Sequence, residues 1–462
     1  MPDCIKNAHG TYKAKRGDCN LVNVKMKKKR IKAEAFDCLQ YFYGMVQEPR
    51  IRCLLQFKSH LDIATLKKAV DLSLPAVPQI SCIFDERRHN WEKQGFTAED
   101  IVHCIKLDPK NDREKWLLAS LDPTCEPQLK LFLIREKDKD TLCCIINHMV
   151  CDGAGFKEYL YLLSDLYSKC KKNAEYATQS EPPGKRNLNQ ILKNLSLKEK
   201  ITLVFAKSEG DKLDPSLLVP IQGNPKNPML VLSCIEQEPF ERVCSFAKSN
   251  GVTVNDLLLT AYVRILKKIT GRQKIIIPCP VDLRKYRKAN QQCGICNLTG
   301  NYLCSVDIQP GETFADTLGK ISAQIRHQKE ENACLRGPML YHMLFHLVPF
   351  FLTQSLFHRL SPVPITSYTN LGILDEHKLR FLDLPIEEAF LSTTVKRTPC
   401  FQLSVSTYAG CCTLSCSLYG TTRDKEFVSA FLHQVKTELL GSLTCGENHG
   451  RNLLIDSFLG KI

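Results

Sequence analysis

The chain has 462 residues, of which 44% are hydrophobic and 24% are charged. These fractions exclude a low-complexity or fibrous chain, and the length fits two domains better than a single core. The net charge of +14 predicts either an anionic partner, such as a nucleotide-bearing cofactor or an acidic carrier protein, or a solvated basic surface. Because no basic motif interleaved with aromatic residues appears, we expect no nucleic-acid partner.

The first third of the chain alternates between strand and helix signals. Residues 1–34 form a basic N-terminal segment, and residues 35–175 are predicted to form the first of two subdomains. The segments that predict strands are residues 51–57, 78–84, 129–133 and 142–146. The polar turn between the last two of these strands predicts a hairpin.

A change of composition separates the two halves. Residues 176–226 are rich in proline, glycine and charge apart from a helical patch at residues 191–205, which predicts a crossover linker. Residues 227–462 are predicted to form the second subdomain. The segments there that predict strands or hairpins are residues 229–235, 275–277, 300–306 and 401–418. The most apolar stretch, residues 339–360, contains histidines and a proline, so we expect no membrane span.

His148 follows directly after the continuous apolar run of residues 142–146, and a helical pattern begins after Gly155. It therefore lies where a buried strand ends and a helix begins, which is where open α/β sheets place their ligands. A histidine held there can act as a base near neutral pH, because its unperturbed pKa is about 6.5.

Asp152 and two glycines follow His148 within seven positions. Asp152 would orient the imidazole ring, cap the following helix or pair with a distant cation. Gly153 and Gly155 would let a reacting group approach the backbone, and the helix start offers N–H groups to an anion. The competing interpretation is a loop histidine and a capping aspartate without chemistry, since this spacing alone is common. The surrounding strand, glycine pair and helix favour a functional site.

Cysteine usage indicates free thiols. The 23 cysteines fall mainly within apolar runs, and the start of the chain lacks signal-peptide features, so we expect a cytoplasmic protein. Cys293 and Cys296 form a spaced pair, but no second pair at zinc-finger spacing follows. His342 and His346 share a predicted helix face, where packing explains them better than ligation. We therefore predict no metal site.

The residues His148, Asp152 and Gly153 resemble the His-x-x-x-Asp-Gly signature of an acyltransferase superfamily. It includes chloramphenicol acetyltransferase, the plant BAHD acyltransferases, alcohol acetyltransferases and peptide-synthetase condensation domains. Further landmarks of that superfamily are similar to residues 253–256, 280–284, 300–302 and 369–372, in matching order. The chain departs from condensation domains at Asn147, where they usually carry a second histidine, and it lacks the Asp-Phe-Gly-Trp-Gly motif of BAHD enzymes. The nearest likeness is to stand-alone alcohol-acetyltransferase-like or condensation-like proteins.

The resemblance implies an α/β fold of two chloramphenicol-acetyltransferase-like subdomains. Each would be a mixed sheet with flanking helices, and an active-site tunnel would lie between them. The implied activity moves an acyl group from a thioester donor to a small alcohol or amine acceptor. The donor would be acyl-CoA or an acyl or peptidyl carrier protein in trans, presenting a phosphopantetheine thioester as co-substrate with no permanently bound cofactor. We expect a monomer.

The resemblance also implies residue roles. His148 would take the acceptor's proton, the Gly153 N–H would hold the developing oxyanion, and Asp152 would turn away from the tunnel to pair with Arg284. Asn370 and Tyr302 are the candidates for the oxyanion or acceptor side. The residues that would attract coenzyme A phosphates are Lys285, Arg287 and Lys288, although a solvated basic face explains them equally well.

A second hypothesis belongs to a different class of function. Condensation-like folds also act as non-catalytic docking modules, and this alternative would keep the two-subdomain shape without chemistry. The presence of His148, Asp152 and Gly153 favours the enzyme.

Overall fold

The structure is a computed structural model, and the residues it describes are 29–106, 113–178, 183–205, 213, 217–288, 293–360 and 365–446. Most of the basic N-terminal segment, parts of the predicted crossover and the end of the chain from residue 447 lie outside these described residues.

Both halves of the described chain contain strands and helices. The strands are β1 (Arg30–Lys32), β2 (Gln47–Glu48), β3 (Arg50–Phe57), β4 (Cys82–Asp85), β5 (Asn90–Lys93), β6 (Val102–Lys106), β7 (Leu129–Arg135), β8 (Asp140–Asn147), β9 (Pro228–Ile235), β10 (Lys274–Asp282), β11 (Thr299–Asp307), β12 (Thr366–Leu374), β13 (Ile386–Ser392), β14 (Val395–Lys396), β15 (Phe401–Tyr408) and β16 (Cys411–Tyr419). The helices are α1 (Ala35–Phe42), α2 (Ile63–Ser73), α3 (Ala98–Ile101), α4 (Arg113–Leu117), α5 (Gly153–Lys172), α6 (Asn189–Leu192), α7 (Leu197–Phe205), α8 (Gln237–Ser249), α9 (Val254–Thr270), α10 (Phe314–Glu330), α11 (Arg336–Leu347), α12 (Phe350–Leu360) and α13 (Thr422–Gly446). Short 3₁₀ helices occupy Tyr43–Met45, Pro78–Ser81, Leu283–Tyr286 and Ala333–Leu335.

The first sheet has the strand order β13-β3-β8-β7-β6. Strands β7 and β8 form the predicted hairpin, with Leu129 opposite Ile146 and Arg135 opposite Asp140. Every residue of β8 is buried, as the unbroken apolar run predicts for a strand covered on both faces. Side chains of α2 and α5 share one hydrophobic core with this sheet. The histidine that follows β8 is therefore held at the end of a rigid central strand.

The second sheet has the order β12-β15-β16-β14-β2, and β9 pairs with β16 as well. The predicted hairpin of residues 401–418 is confirmed, with Ser404 opposite Ser415 and Tyr408 opposite Cys411. Strands β10 and β11 pair antiparallel as a separate ribbon. A second hydrophobic core joins these strands to α8, α9, α10 and α13. Each half thus has its own mixed sheet and flanking helices, as the resemblance implied.

The two halves exchange strands. Although β13 lies in the second half of the chain, it pairs antiparallel with β3, from Ile386 opposite Phe57 to Ser392 opposite Arg52. In return, β2 from the first half pairs with β14. A third apolar cluster, which includes Ile145 of β8, fills the space between the two sheets. No local pattern in the sequence indicates either exchange.

Capping signals place several helices correctly. The side chain of Asp62 accepts hydrogen bonds from the backbone at the start of α2, as predicted. Thr253 and Thr313 form reciprocal capping boxes with Asp256 and Asp316 at the starts of α9 and α10. These boxes satisfy backbone N–H groups that a helix leaves without intrahelical partners.

Two predicted elements are wrong. Residues 78–84 were expected as one strand, but Pro78–Ser81 is a 3₁₀ helix and only β4 is extended, because proline favours the first turn of a helix. The single helix expected at residues 191–205 is split into α6 and α7. The apolar stretch of residues 339–360 forms most of α11 and all of α12. Among the described helices, none combines the length and the hydropathy needed to cross a membrane.

Candidate active site

A cavity of about 380 Å³ lies between the two halves, and His148 is part of its wall. The first half contributes residues from α1, β2 and the start of α5. The second half contributes residues from β10, β11, β12 and the segment around β14. The position of His148 therefore matches the predicted location, at the end of a core strand and facing a space between two lobes.

The ring of His148 is held in one tautomer by Asn297. Its Nδ1 lies 3.1 Å from Asn297 Oδ1. The amide nitrogen of Asn297 donates to the carbonyl oxygens of His148 and Met149, at 2.8 and 3.2 Å, which fixes the amide orientation. Because Oδ1 can only accept, Nδ1 carries the proton and Nε2 keeps its lone pair. Asn297 occupies Nδ1 and His148 lines the cavity, so Nε2 is the ring nitrogen left for a ligand there.

The surroundings of His148 favour the neutral ring. Desolvation in the cavity wall lowers the pKa of His148, because burial disfavours the imidazolium. The backbone, the charge of Asp152 and the contact with Asn297 offset part of that shift, whereas the positive charge of Lys396 adds to it. A pKa below 6.5 leaves the imidazole unprotonated at neutral pH, which is the form that a general base requires.

Asp152 stabilises the site through an ion pair and several hydrogen bonds. Its carboxylate lies 3.0 Å from Arg284 Nη1 and accepts the backbone N–H of Gly155 at 2.8 Å. It also accepts the N–H of Leu298 at 2.7 Å and the hydroxyl of Thr299 at 2.9 Å. Burial alone would raise the pKa of Asp152, but the charge and hydrogen bonds of Arg284 hold it below 3.8. The ion pair between Asp152 and Arg284 therefore joins the two halves beside His148.

The two glycines have different structural roles. A Cβ on Gly155 would lie 2.8 Å from the carbonyl oxygen of Cys296, a backbone atom that also accepts a hydrogen bond from Arg284 Nη2 at 2.7 Å. Gly155 is therefore needed for the close approach of α5 to the segment before β11. Gly153 opens α5 at the cavity wall, where a Cβ would lie 2.6 Å from the Leu371 side chain. The absence of that Cβ leaves the first turn of α5 accessible from the cavity.

Asn147 stabilises the loop that carries His148. It is buried, its amide donates to Gln128 Oε1 at 2.7 Å, and its own Oδ1 accepts the N–H of Met149 at 3.0 Å. These contacts point Asn147 into the first sheet, so its departure from the condensation-domain pattern leaves the His148 ring unaffected.

Asn370 and Tyr302, the two residues predicted for the oxyanion or acceptor side, have different surroundings in the structure. Asn370 lines the cavity, and its amide donates to Asn255 Oδ1 at 3.1 Å. Tyr302 does not line the cavity, because it lies on the other face of β11 in the second core and is 4% exposed. Its neighbour Asn301 faces the cavity instead, since successive strand residues point to opposite sides.

The predicted phosphate-attracting residues lie apart from the cavity wall. Lys285 donates to the hydroxyl of Tyr302 at 3.0 Å and lies over the rings of Tyr286 and Tyr302. Lys285 and Lys288 are exposed and Arg287 is half-buried, and none of the three lines the cavity. Their attraction for coenzyme A remains a prediction.

Sequence reasoning missed two residues of the site. Asn297 is in loop sequence without a recognisable motif, and only its position after Cys296 could have drawn notice. Lys396 lines the cavity on β14, where burial lowers its pKa to about 8. A lone lysine in a strand gives no sequence signal, because most lysines are solvated.

Potential metal ligands lie elsewhere in the described chain. Cys234, Glu236 and Cys411 place ligand atoms within 4.8 Å of one another, away from the cavity lining. Cys293 and Cys296 hydrogen-bond through their thiols, which lowers the pKa of Cys293 to about 6. Neither group contacts His148.

This architecture and site define a class: a two-subdomain α/β protein with the fold of condensation domains and chloramphenicol-acetyltransferase-like enzymes. No model of a known protein family matches the chain. The first condensation domain of the calcium-dependent antibiotic synthetase superimposes with a TM-score of 0.66 at 14% identity, covering 89% of this chain and 97% of that one. Polyketide synthase associated protein 5 from Mycobacterium tuberculosis gives 0.65 at 16% identity, covering 89% and 97%.

Further comparisons agree on the fold. Trichothecene 15-O-acetyltransferase from Fusarium sporotrichioides superimposes with a TM-score of 0.63 at 13% identity, covering 89% of this chain and 95% of that one. In sequence, bacitracin synthase 1 of Bacillus licheniformis is 25% identical over 177 residues. That match spans 37% of this chain but only 3% of the length of the synthase.

Proposed function

We propose that the chain is an acyltransferase that moves an acyl group from a thioester donor to an alcohol or amine, with His148 as general base. The observation that carries the proposal is the hydrogen bond at His148: Asn297 Oδ1 accepts the Nδ1–H at 3.1 Å, so the lone pair of Nε2 remains for the cavity. The shared fold with condensation domains and an O-acetyltransferase supports the reaction type.

In the proposed reaction, the acceptor hydroxyl or amine lies against Nε2 of His148. As its oxygen or nitrogen attacks the thioester carbonyl, the acceptor's proton moves to Nε2 and a tetrahedral oxyanion forms. The C–S bond then breaks, the carbonyl re-forms, and the departing thiolate takes the proton from the imidazolium. The ring returns to its starting tautomer, so the chain is unchanged after each cycle.

Two features of the chain would support that charge movement. The Gly153 N–H and the first turn of α5 lie at the cavity wall, where the helix start favours a developing negative charge. Arg284 keeps Asp152 ionised, and the negative charge of Asp152 favours the imidazolium of His148 when it forms. Asn370 lines the same cavity and is the proposed polar group on the side of the second half.

The proposed donor presents its acyl group on a phosphopantetheine arm, either as acyl-CoA or on a carrier protein in trans. The acceptor is a small molecule. The exposed Lys285 and Lys288 with Arg287 remain proposed contacts for donor phosphates. We further propose a monomer that acts in the cytoplasm.

The test is mass spectrometry of acyl transfer from mixed acyl-CoA donors to a panel of alcohols and amines, with thioester consumption measured in parallel. We expect His148→Ala to lower transfer by about a hundred- to ten-thousandfold, as loss of a general base does. His342→Ala is the matched control, because His342 is buried on α11, hydrogen-bonds Asn189 and does not line the cavity. Transfer that is absent from both the wild type and His148→Ala would leave the non-catalytic docking module as the better hypothesis. Equal transfer by the two proteins would exclude His148 as the general base.

A further inference from the structure

Lys396 is a cation in the cavity wall without a carboxylate partner among the described residues. Its Nζ donates to Gln47 Oε1, and no ion pair to it forms within the described chain. Gln47 is itself 7% exposed and also accepts from the hydroxyl of Thr394 at 2.9 Å. An ammonium has three N–H donors, so this arrangement leaves donor capacity that only the cavity can satisfy.

The surroundings of Lys396 are polar but lack compensating negative charge. The wall beside it consists of Gln47, Thr393, Thr394 and Gln402, and Thr393 donates to Gln402 Oε1 at 3.1 Å. The adjacent acid on β2, Glu48, contacts Arg50, Arg397 and Tyr419 instead. An unpaired charge enclosed in this way is costly, and proteins normally pair it.

Few titratable groups among the described residues act on Lys396 or on His148 in the same cavity. Cys400 lies in the same wall and is the one group whose charge would raise the pKa of Lys396 against the burial that lowers it. The charge of Lys396 reaches His148, where it lowers the pKa of the imidazole. Lys396 and His148 both line the same cavity of about 380 Å³, so one ligand bound there can contact both residues.

The part of the cavity around Arg284 has different electrostatics. There, Asp152 and Asp282 both pair with Arg284, and Lys157 donates to the carbonyl oxygen of Ile373 at 3.2 Å. The acids at that end are thus neutralised by the chain itself, whereas the positive charge at the β14 end is not.

We infer that the cavity selects a substrate bearing a carboxylate, and that Lys396 binds this group within reach of His148. The inference rests on the proposed function only in naming the occupant as a substrate. The carboxylate would belong either to the acyl chain of the donor or to the acceptor. In both cases the ammonium gains a charge-assisted hydrogen bond and an ion pair that the free protein lacks.

Equilibrium binding by calorimetry tests the inference without turnover. The donor arm compares succinyl-CoA with butyryl-CoA, which differ by a terminal carboxylate in place of a methyl group. The acceptor arm compares 6-hydroxyhexanoate with 1-hexanol in the same way. We expect the carboxylate member of one pair to bind about ten- to a hundredfold more tightly, which is the usual strength of a hydrogen bond to a charged group. The arm that discriminates identifies the source of the carboxylate.

The variant Lys396→Met should abolish that preference while leaving the affinity for the neutral member within about threefold, since methionine keeps the length and apolar stem of lysine. Lys157→Met is the matched control, because Lys157 lines the same cavity and already donates to the carbonyl oxygen of Ile373, so this variant should retain the preference. Absence of a preference in both arms, or a preference that survives Lys396→Met, would overturn the inference. Failure of acyl transfer in all assays would instead count against the proposed function, because the binding comparison requires no reaction.

Discussion

The hydrogen bond between Asn297 and Nδ1 of His148, which fixes the tautomer of the ring, gives the most specific prediction. Replacing Asn297 with leucine removes the acceptor 3.1 Å from Nδ1 and both donors to the carbonyl oxygens of His148 and Met149. The ring would then be free to move its proton to Nε2, where it blocks the base. Leaving a buried N–H without an acceptor costs about 1–3 kcal/mol. At about 1.4 kcal/mol per decade, Asn297→Leu should lower kcat/KM by about ten- to a hundredfold.

The pH profile separates this role from a merely structural one. Asn297→Asp places a carboxylate at Nδ1, which favours the imidazolium and should raise the pKa of His148. Since the base must be unprotonated, the acidic limb of kcat/KM should move to higher pH than in the wild type. Asn301→Leu is the control, because Asn301 lines the same cavity from β11. An Asn297→Leu variant within twofold of wild type, or an acidic limb that Asn297→Asp leaves in place, would refute the reasoning.

The remaining predictions concern Asp152 and Gly155, which stabilise the structure beside His148. Asp152→Asn leaves Arg284 with only Asp282, its more exposed partner, so urea unfolding should show a loss of about 3 kcal/mol, the lower end of the cost of breaking a buried ion pair. A loss below about 1 kcal/mol would contradict a stabilising role for the ion pair of Asp152 and Arg284. The folded state lowers the pKa of Asp152, so the contribution of its carboxylate to stability is fully present above pH 3.8 and should disappear as the pH falls through the folded-state pKa. Thermal unfolding of the wild type and of Asp152→Asn between pH 3 and 7 tests this, because the difference in stability between the two proteins should shrink towards the acidic end. Gly155→Ala should cost about 1–3 kcal/mol because its Cβ meets a carbonyl oxygen of Cys296 at 2.8 Å. Gly319→Ala, in α10 with open space around it, should instead stabilise by up to about 1 kcal/mol, and equal effects of the two alanines would be inconsistent with the clash.

Features encoded over a few consecutive residues could be predicted from the sequence. The apolar run of β8 required burial on both faces, and the polar turn before it required a hairpin. The cap at Asp62 could be predicted for the same reason, because a capping side chain and the backbone N–H groups that donate to it lie within one turn. The resemblance then supplied the pairing of Asp152 with Arg284, which no local rule contains.

Features that depend on distant partners could not be predicted. The side chain of Tyr302 points into the core rather than the cavity, and the parity of a strand is set by the sheet it joins, not by its own residues. Asn297 acts through contacts with a residue 149 positions away, in a loop with no pattern. Lys396 could not be recognised from the sequence because its lowered pKa results from burial by distant residues, whereas most lysines are exposed to solvent.

The exchange of strands β2 and β13 between the two halves has a consequence for how ligands enter the cavity. Because β13 completes the sheet below His148 and β2 completes the opposite one, the lobes cannot swing widely apart without breaking backbone ladders. Access to the cavity must therefore come from small sliding movements or side-chain rearrangements at its rim. Because β14, which carries Lys396, pairs with β2 of the first half, this lysine is tied to the half that carries His148. We therefore expect the cavity to select ligands by length as well as by charge.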